Sequence, residues 1–451
     1  MATISPSSDY EKTIEAPAVS ATPVATLRDP RLDFFRGIAM FIILLAHTPG
    51  NLWTKWIPAR WGFSDATEMF VFCSGMASAI AFGKLFQTKG LALGSARIAF
   101  RVWQVYWAHI GLFFVTLTCM LALPFFGFTL RDYVSQLNLP PFLDNIEGNL
   151  IGLMTLTYVP NYFDILPMYL VILAMVPLVM ALSRIHPMVA LGASILIWCT
   201  ANVEMVELVS NADVTPLQLP AQYWFPEGKD ERPWFFNPFG WQLCFFTGFA
   251  LMIGWLPSPP VSRLLIGIAI AYVIFGFLFS SVGMRSYDWQ AGVTDPALGL
   301  QNQGDSAWWD SIHNWQRSTY GDMGVLRSKT EFGLFRYLHM LALGYLGWVA
   351  VGEGGKNLRV GRIWSWVVNN IIMKVGQQSL AVFVFSMLLA RFLGVWLDET
   401  STLVDGDLVR NPWINAFINI VGFALLVACA YTAAWFKSTP WKPRKPARPA
   451  A

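Results

Sequence analysis

Charged residues are scarce in this chain of 451 residues: they make up 13% of it, against 55% hydrophobic residues. An ordinary soluble domain carries about twice that share of charge, so much of the surface must face lipid. The net charge of +3 is spread over loops and tails, without a basic face interleaved with aromatic side chains. The composition therefore predicts a protein of the lipid bilayer that does not bind nucleic acid.

Cysteine and histidine are also few, with five residues of each. No two cysteines have the Cys-x-x-Cys spacing, and no two histidines have the spacing of a pair of metal ligands. We therefore expect neither a metal site nor a disulfide framework. The first thirty residues contain no apolar segment, so they do not read as a secretory signal peptide. Residues 1–30 are predicted to form a disordered tail.

Long apolar segments are what the sequence does have. A membrane-spanning helix needs about 20 mainly apolar residues, and ten such segments follow one another along the chain. They cover residues 34–50, 65–86, 99–123, 165–183, 187–203, 239–256, 262–282, 333–352, 376–397 and 413–436. The predicted fold class is an all-α polytopic membrane protein with about ten transmembrane helices. Residues 31–436 form its membrane domain, and residues 437–451 form a basic tail.

An even number of spans puts both ends of the chain on one side of the membrane. Placing both termini in the cytoplasm brings most lysine and arginine residues to that side, as the positive-inside bias requires. The opposite side then carries the long loops 124–164, 204–238 and 283–332. The stretch 289–317 combines tryptophans with hydrogen-bonding side chains, which is typical of sugar-binding surfaces. It is equally typical of aromatic residues at a bilayer interface.

The first predicted helix contains three ionisable residues that matter for function, Asp33, Arg36 and His47. Ionisable side chains inside a bilayer are costly and are functional candidates by default. Asp33 and Arg36 are three residues apart, and Arg36 and His47 are eleven apart, so all three share one stripe of the helix. Arg36 and His47 are then separated by about 16 Å along the axis. A cation near the cytoplasmic mouth and an imidazole near the other side suit a reaction run across the membrane.

Five segments of the chain together resemble a known group of enzymes. These segments are Leu32–Asn51, which holds an Arg-x10-His pattern, Gly62–Gly83, Pro160–Pro167, Arg336–His339 and Gly376–Leu380. In this order they are similar to the membrane acyltransferase-3 superfamily, and most of all to its OpgC branch, which attaches succinyl groups to osmoregulated periplasmic glucans. Met76 stands where that superfamily usually has an aromatic residue.

The resemblance implies a multi-pass O-acyltransferase of a bacterial inner membrane. Its donor would be cytoplasmic acyl-coenzyme A, with succinyl the expected acyl group, and its acceptor a hydroxyl of a periplasmic glucan. Acyl-coenzyme A is a substrate here, and no permanently bound cofactor is expected. A sugar hydroxyl needs a base to remove its proton, and a neutral histidine is the usual base near neutral pH. His47 is the candidate, and whether it acts as a base or transiently carries the acyl group stays open at this stage.

The remaining candidate residues fall on the two predicted sides. Coenzyme A phosphates favour arginine, so Arg97 and Arg101 join Arg36 as candidates for donor binding, although membrane anchoring explains those two equally well. Candidates for orienting His47 or binding the acceptor are Asp65, Glu68, Ser74, Asp164, Arg336 and His339. The acids at the start of the second helix are also explained by the helix dipole alone. Asp33 completes the predicted catalytic set with Arg36 and His47.

Three other functions are weighed against this hypothesis. A transporter or flippase of a glycan or anionic metabolite would be expected to show broken helices in matching halves, and no internal repeat is visible. An acyltransferase acting on another cell-envelope glycan would differ only in its acceptor. A structural scaffold within a glycan-synthesis complex would tolerate replacement of the charges inside its membrane helices. The O-acyltransferase is the predicted function.

Overall fold

A computed structural model describes residues 29–202, 217–221, 232–283, 315–316, 318–321, 323–324, 326–404 and 406–442. The described chain is almost wholly helical. Its one paired set of strands is a small antiparallel hairpin of β1 (Thr402–Val404) and β2 (Asp407–Val409). The all-α class predicted from the sequence is therefore confirmed.

The first half of the chain begins with α1 (Pro30–His47), which is capped by the side chain of Asp29. The helices that follow it are α2 (Ala66–Ser78), α3 (Lys84–Ala122), α4 (Pro140–Asp144), α5 (Ile146–Thr155), α6 (Ile165–Leu182) and α7 (Pro187–Ala201). A π-helical turn, Ala79–Gly83, joins α2 to α3. Gly90 breaks α3 near its start, because its φ of 82° is a conformation that glycine adopts without strain.

The helices of the second half are α8 (Pro238–Ile253), α9 (Arg263–Leu278), α10 (Leu334–Val351), α11 (Arg362–Val367), α12 (Met373–Gln377), α13 (Ser379–Glu399) and α14 (Pro412–Lys437). A π-helical turn, Val368–Ile372, joins α11 to α12. Short 3₁₀ turns, among them Leu52–Trp56 and Glu353–Arg359, connect other helices.

Each of the ten predicted spans overlaps one of these helices, but their lengths differ. Five helical stretches in the described chain are long and apolar enough to cross a membrane: Ala66–Phe126, Ile165–Leu182, Leu334–Val351, Ser379–Glu399 and Pro412–Lys437. The first of them contains two predicted spans, and three further apolar helices, α7, α8 and α9, are shorter. Helix α1 falls outside that set because it carries three charged residues. The protein is a helical membrane protein, while ten crossings and cytoplasmic termini stay predictions.

Glycines allow the central helices to approach closely. A Cβ on Gly376 would lie 1.9 Å from the backbone oxygen of Asp33, so only glycine fits where α12 crosses α1. A Cβ on Gly75 would lie 1.9 Å from the backbone oxygen of Phe245, where α2 crosses α8. Small residues at such crossings are the usual way in which membrane helices pack. The two contacts hold α1 and α2 at the centre of the bundle.

Two faces of the bundle are named here by the helix ends they carry. The tail face is the one at which α1 begins and α14 ends, and Arg36 and Lys437 lie in one cavity there. The cap face is the one at which α1 ends, at His47. The sequence predicts that the tail face is cytoplasmic.

Candidate active site

Arg36 lies near the tail face, where α1 meets the start of α13. Its Nη2 donates a hydrogen bond to the hydroxyl of Ser379, the first residue of α13. Asp33, one turn before it in α1, is buried, with 1% of its surface exposed. The Asp33 side chain therefore lies inside the bundle.

A cavity of about 840 Å³ opens between α3 and α13 beside Arg36. Its polar lining lies toward the tail face and consists of Arg36, Arg101, Gln104, Gln377, Gln378, Ser379 and Lys437. Its apolar lining follows the two helices deeper into the bundle and includes Ala108, Leu112, Val115, Val384, Phe385 and Leu388. From Ser379 to Leu388 the cavity follows α13 for about 13 Å. The cavity would therefore suit a ligand with a charged head group at the tail face and a slender apolar chain between α3 and α13.

The two arginines predicted to bind the donor are in different surroundings. Arg101 lines the cavity with Arg36, and its Nη1 lies 3.3 Å from Oε1 of Gln104. Arg97, one turn earlier in α3, is exposed and does not line the cavity. Its guanidinium instead lies 5.6 Å from the ring centre of Phe100. Of the predicted donor residues, Arg36 and Arg101 are thus brought together, and Arg97 is not.

His47 is the last residue of α1 and is partly exposed at the cap face. Its Nδ1 lies 2.8 Å from the carbonyl oxygen of Ile43. A backbone carbonyl only accepts hydrogen bonds, so Nδ1 must carry the proton in the neutral ring. The lone pair then resides on Nε2, for which the described chain provides no hydrogen-bond partner. The neutral His47 ring is therefore held by its own helix in the tautomer whose Nε2 can accept a proton.

Tyr162 connects His47 to α13. The rings of Tyr162 and His47 meet edge to face, with centroids 5.4 Å apart. The Tyr162 hydroxyl donates to the backbone oxygen of Met387, which directly precedes the cavity-lining Leu388. Tyr162 also has a φ of 97°, which is rare for a residue other than glycine and is often retained at functional sites. The inner end of the cavity is thus linked by two contacts to the histidine.

A buried asparagine cluster holds the segment that follows His47. Oδ1 of Asn51 accepts from the side-chain amides of Asn415, at 3.1 Å, and Asn419, at 3.0 Å. The amide of Asn51 in turn donates to Oδ1 of Asn419, at 2.7 Å. All three side chains are at most 3% exposed. The end of α1 is therefore fixed to α14.

Charged residues at the start of α2 form two ion pairs near the cap face. Asp65 caps the helix by accepting from the backbone of Thr67, and Glu68 accepts from the backbone of Asp65, which makes a complete capping box. Glu68 pairs with Arg336 at 2.5 Å, and Asp65 pairs with Lys329 at 2.6 Å. These acids are therefore more than helix caps, since each neutralises a cation brought in from elsewhere in the chain.

His339 lies one turn after Arg336 in α10, and it is buried. Its Nδ1 is 2.6 Å from the hydroxyl of Ser64, just before the Asp65 cap. A Cβ on Gly62 would lie 2.4 Å from the His339 ring, so the segment before α2 packs directly on this histidine. Asp65, Glu68, Arg336 and His339, together with Lys329, thus form one group of side chains, called here the cap-face cluster.

Asp164 is buried at the N-cap position of α6, two residues after Tyr162. Burial raises the pKa of the Asp164 carboxyl to about 7, although Lys329 and Arg232 act in the opposite direction. Arg232 donates to the carbonyl oxygen of Val159 at 2.9 Å and so holds the same loop. Asp164 therefore lies two residues from the tyrosine that contacts His47, in a buried environment that favours its protonated form.

Two further parts of the predicted site, Ser74 and the stretch 289–317, are not among the residues described above. Ser74 is buried within α2, about 13 Å along the helix from Asp65, so it is not part of the cap-face cluster. Most of the predicted sugar-binding stretch 289–317 lies outside the described residues. Within it, Trp315 is 61% exposed and lies 5.9 Å from the Phe279 ring.

Sequence reasoning missed several residues of this region. Tyr162 and the asparagine cluster act through partners far away in the chain, and no local spacing points to them. Arg391 is different, because it is an ionisable residue inside the predicted span 376–397. The rule applied to the first helix would have singled it out.

The fold and the site define a helical membrane protein with a polar cavity at its tail face and an oriented histidine at its cap face. A family model described as OpgC protein matches residues 28–438, so the chain belongs to the OpgC protein family. The resemblance seen in the sequence is confirmed at this level, and membership indicates an acyltransferase-type function. No curated protein and no solved structure matches the chain.

Proposed function

We propose that this protein is a membrane O-acyltransferase that moves a succinyl group from acyl-coenzyme A at the tail face to a hydroxyl of a periplasmic glucan at the cap face. The observation that carries the proposal is the cavity along α13. It begins at Arg36 and Arg101 and ends beside Met387, whose carbonyl binds the tyrosine in contact with His47. A donor held there would present its acyl group toward the histidine.

The lining of the cavity suits the parts of acyl-coenzyme A. Its phosphates would bind the cations at the tail face, Arg36, Arg101 and Lys437, because guanidinium groups bind phosphate oxygens in pairs. The pantetheine arm would follow the apolar walls of α3 and α13. In the predicted orientation the tail face is cytoplasmic, which is where acyl-coenzyme A is made, and the membrane is the bacterial inner membrane.

His47 acts as the general base in this proposal. As the hydroxyl oxygen of the sugar attacks the thioester carbonyl carbon, the hydroxyl proton moves to Nε2 of His47. When the tetrahedral intermediate collapses, the carbon–sulfur bond breaks. The imidazolium then returns the proton to the departing thiolate, which gives a glucan ester and free coenzyme A. The hydrogen bond from Nδ1 to Ile43 keeps Nε2 unprotonated before the step.

The cap-face cluster would bind the acceptor. Lys329 is 31% exposed and Asp65 is 12% exposed, so this ion pair presents both signs of charge to a sugar. Glu68 and Arg336 lie further inside and support it. Hydrogen-bonding side chains of this kind are what a neutral polyhydroxyl substrate needs for orientation.

Acyl transfer by the purified protein tests the proposal. Labelled succinyl-coenzyme A and unsubstituted glucan are incubated with the protein in detergent, and labelled glucan ester and free coenzyme A are measured together. We expect the two products in equal amounts. A transporter or flippase would leave the thioester intact, and a scaffold would give neither product. Absence of enzyme-dependent ester under conditions where the protein remains folded would contradict the proposal.

A further inference from the structure

Arg391 is a buried cation in the half of α13 nearer the cap face. Its side chain is 4% exposed. Its Nη2 donates to Oε1 of Gln136 at 2.7 Å, and its guanidinium lies 5.6 Å from the ring centre of Tyr162. Among the described residues, no carboxylate pairs with Arg391, and its Nε has no hydrogen-bond partner. The lack of a carboxylate partner is unusual for a buried arginine within a membrane helix.

The carboxylate whose charge acts on Arg391 is that of Asp398, and it is already paired with other cations. Asp398, two turns further along α13, pairs with Arg410 at 2.6 Å and lies 3.4 Å from Nε of Arg131. A buried charge without a counter-ion destabilises a fold substantially, and inside a membrane such charges are retained at functional sites. Arg391 is therefore a candidate for binding an anionic group of a substrate.

Arg391 follows the lining residues of the donor cavity along α13. Leu380, Val384 and Leu388 line the cavity from α13 at helical spacing. Arg391 is three residues beyond Leu388, so it lies on the same stripe of the helix. It is also one turn beyond Met387, the residue that binds the Tyr162 hydroxyl. Arg391 does not itself line the cavity. It lies about one turn past Leu388, the last lining residue on α13, toward the cap face.

We propose that Arg391 binds the free carboxylate of a dicarboxylic acyl group and selects succinyl-coenzyme A among acyl donors. A succinyl chain extends at most about 4.5 Å through its three carbon–carbon bonds of about 1.5 Å each. One helical turn rises about 5.4 Å, and a hydrogen bond of about 2.8 Å from the guanidinium to the carboxylate covers the difference. With the thioester carbonyl at the level of Tyr162 and His47, the distal carboxylate reaches Arg391. Gln136 leaves Nε available for the charge-assisted hydrogen bonds that arginine makes with carboxylates. This inference rests on the proposed function and names the acyl group that the site accepts.

The test compares succinyl-coenzyme A with butyryl-coenzyme A, whose acyl group has the same four carbons with a methyl group in place of the carboxylate. In Arg391→Gln we expect kcat/KM for the succinyl donor to fall by about 10- to 100-fold, the worth of hydrogen bonds to a charged group. Transfer of butyryl should be nearly unchanged, so the preference between donors collapses. Phe392→Leu is the matched control, because Phe392 is 41% exposed beside Arg391 and does not line this cavity.

A second measurement separates donor selection from folding and from the proposed function. Thermal stabilisation by each donor is recorded without glucan for the wild type, Arg391→Gln and Arg391→Lys. We expect the extra stabilisation by succinyl over butyryl to vanish in Arg391→Gln and to persist in reduced form in Arg391→Lys, which keeps the charge but loses the planar fork. Should Arg391→Gln fail to fold, the lysine variant carries the comparison.

If the Arg391 variants lost activity and thermal stabilisation equally with both donors, the inference would be overturned and Arg391 would be a structural residue. A wild type that binds and transfers both donors equally would also overturn it, while leaving the proposed function intact. A wild type that forms no ester with either donor would overturn the proposed function first, and the inference with it.

Discussion

The Nδ1 atom of His47 lies 2.8 Å from the carbonyl oxygen of Ile43, one turn earlier in the same helix. This contact fixes the proton on Nδ1 and leaves Nε2 as the basic nitrogen. Catalytic histidines usually depend on a carboxylate or carbonyl from elsewhere for this orientation. Here the orientation comes from α1 itself, so the same helix carries the proposed base at its end and the predicted donor-binding arginine near its start.

Arg101 and Arg97 provide a matched pair for the donor site. Arg101→Gln should raise KM for succinyl-coenzyme A, because it removes a cation from the cavity, whereas Arg97→Gln should not, because Arg97 lies outside it. A hydrogen bond to a charged group is worth about 1.5–3 kcal/mol, so a rise of tenfold or more is expected. Initial rates over a range of donor concentrations check this, and equal effects of the two substitutions would place donor binding elsewhere.

The Glu68 and Arg336 pair should stabilise the fold. Glu68 is 1% exposed, so Arg336→Gln leaves a buried carboxylate without its partner and should cost about 3 kcal/mol. The double variant Glu68→Gln with Arg336→Gln should recover part of that loss. Lys329→Gln is the control at a more exposed pair and should cost about 1 kcal/mol or less. Unfolding in detergent is measured for the wild type, the single variants Arg336→Gln, Glu68→Gln and Lys329→Gln, and the double variant. A double effect equal to the sum of the Glu68→Gln and Arg336→Gln effects would show that the pair is not coupled.

Asp164 should make stability depend on pH. Its pKa in the folded protein is about 7, while an unfolded aspartate has a pKa of about 3.9. The folded state therefore holds the proton more tightly, and stability from this group is present at low pH and lost as pH rises toward 7. Relative to Asp164→Asn, the wild type should lose thermal stability between about pH 4 and pH 7. Parallel pH profiles for the two proteins would contradict the assigned environment of Asp164.

The fold was largely predictable because apolar segment length is a strong signal in membrane proteins. The boundaries were less so: two predicted spans belong to one helical stretch, Ala66–Phe126, in which a π turn and a break at Gly90 replace the expected loop. Backbone breaks at single residues leave almost no trace in the average apolarity of a segment.

The candidate site was predictable only where chemistry is local. The pattern from Arg36 to His47 could be read within one helix, and Asp65 with Glu68 could be read as acids at a helix N-terminus. Their partners could not, because Ser379 and Arg336 lie hundreds of residues away and meet them only through helix packing. Arg97 and Arg101 look alike in sequence, and only the neighbouring helix α13 distinguishes the cavity-lining one from the exposed one.

The role of His47 is tested directly by measuring turnover by His47→Ala beside a control, His186→Asn. His186 is an exposed cap of α7, and asparagine keeps the cap. We predict that His47→Ala loses about 10²- to 10⁴-fold in the rate of succinyl transfer, with donor affinity and thermal stability unchanged, and that His186→Asn behaves as the wild type. Full turnover by folded His47→Ala would show that Nε2 of His47 does not take the proton of the glucan hydroxyl.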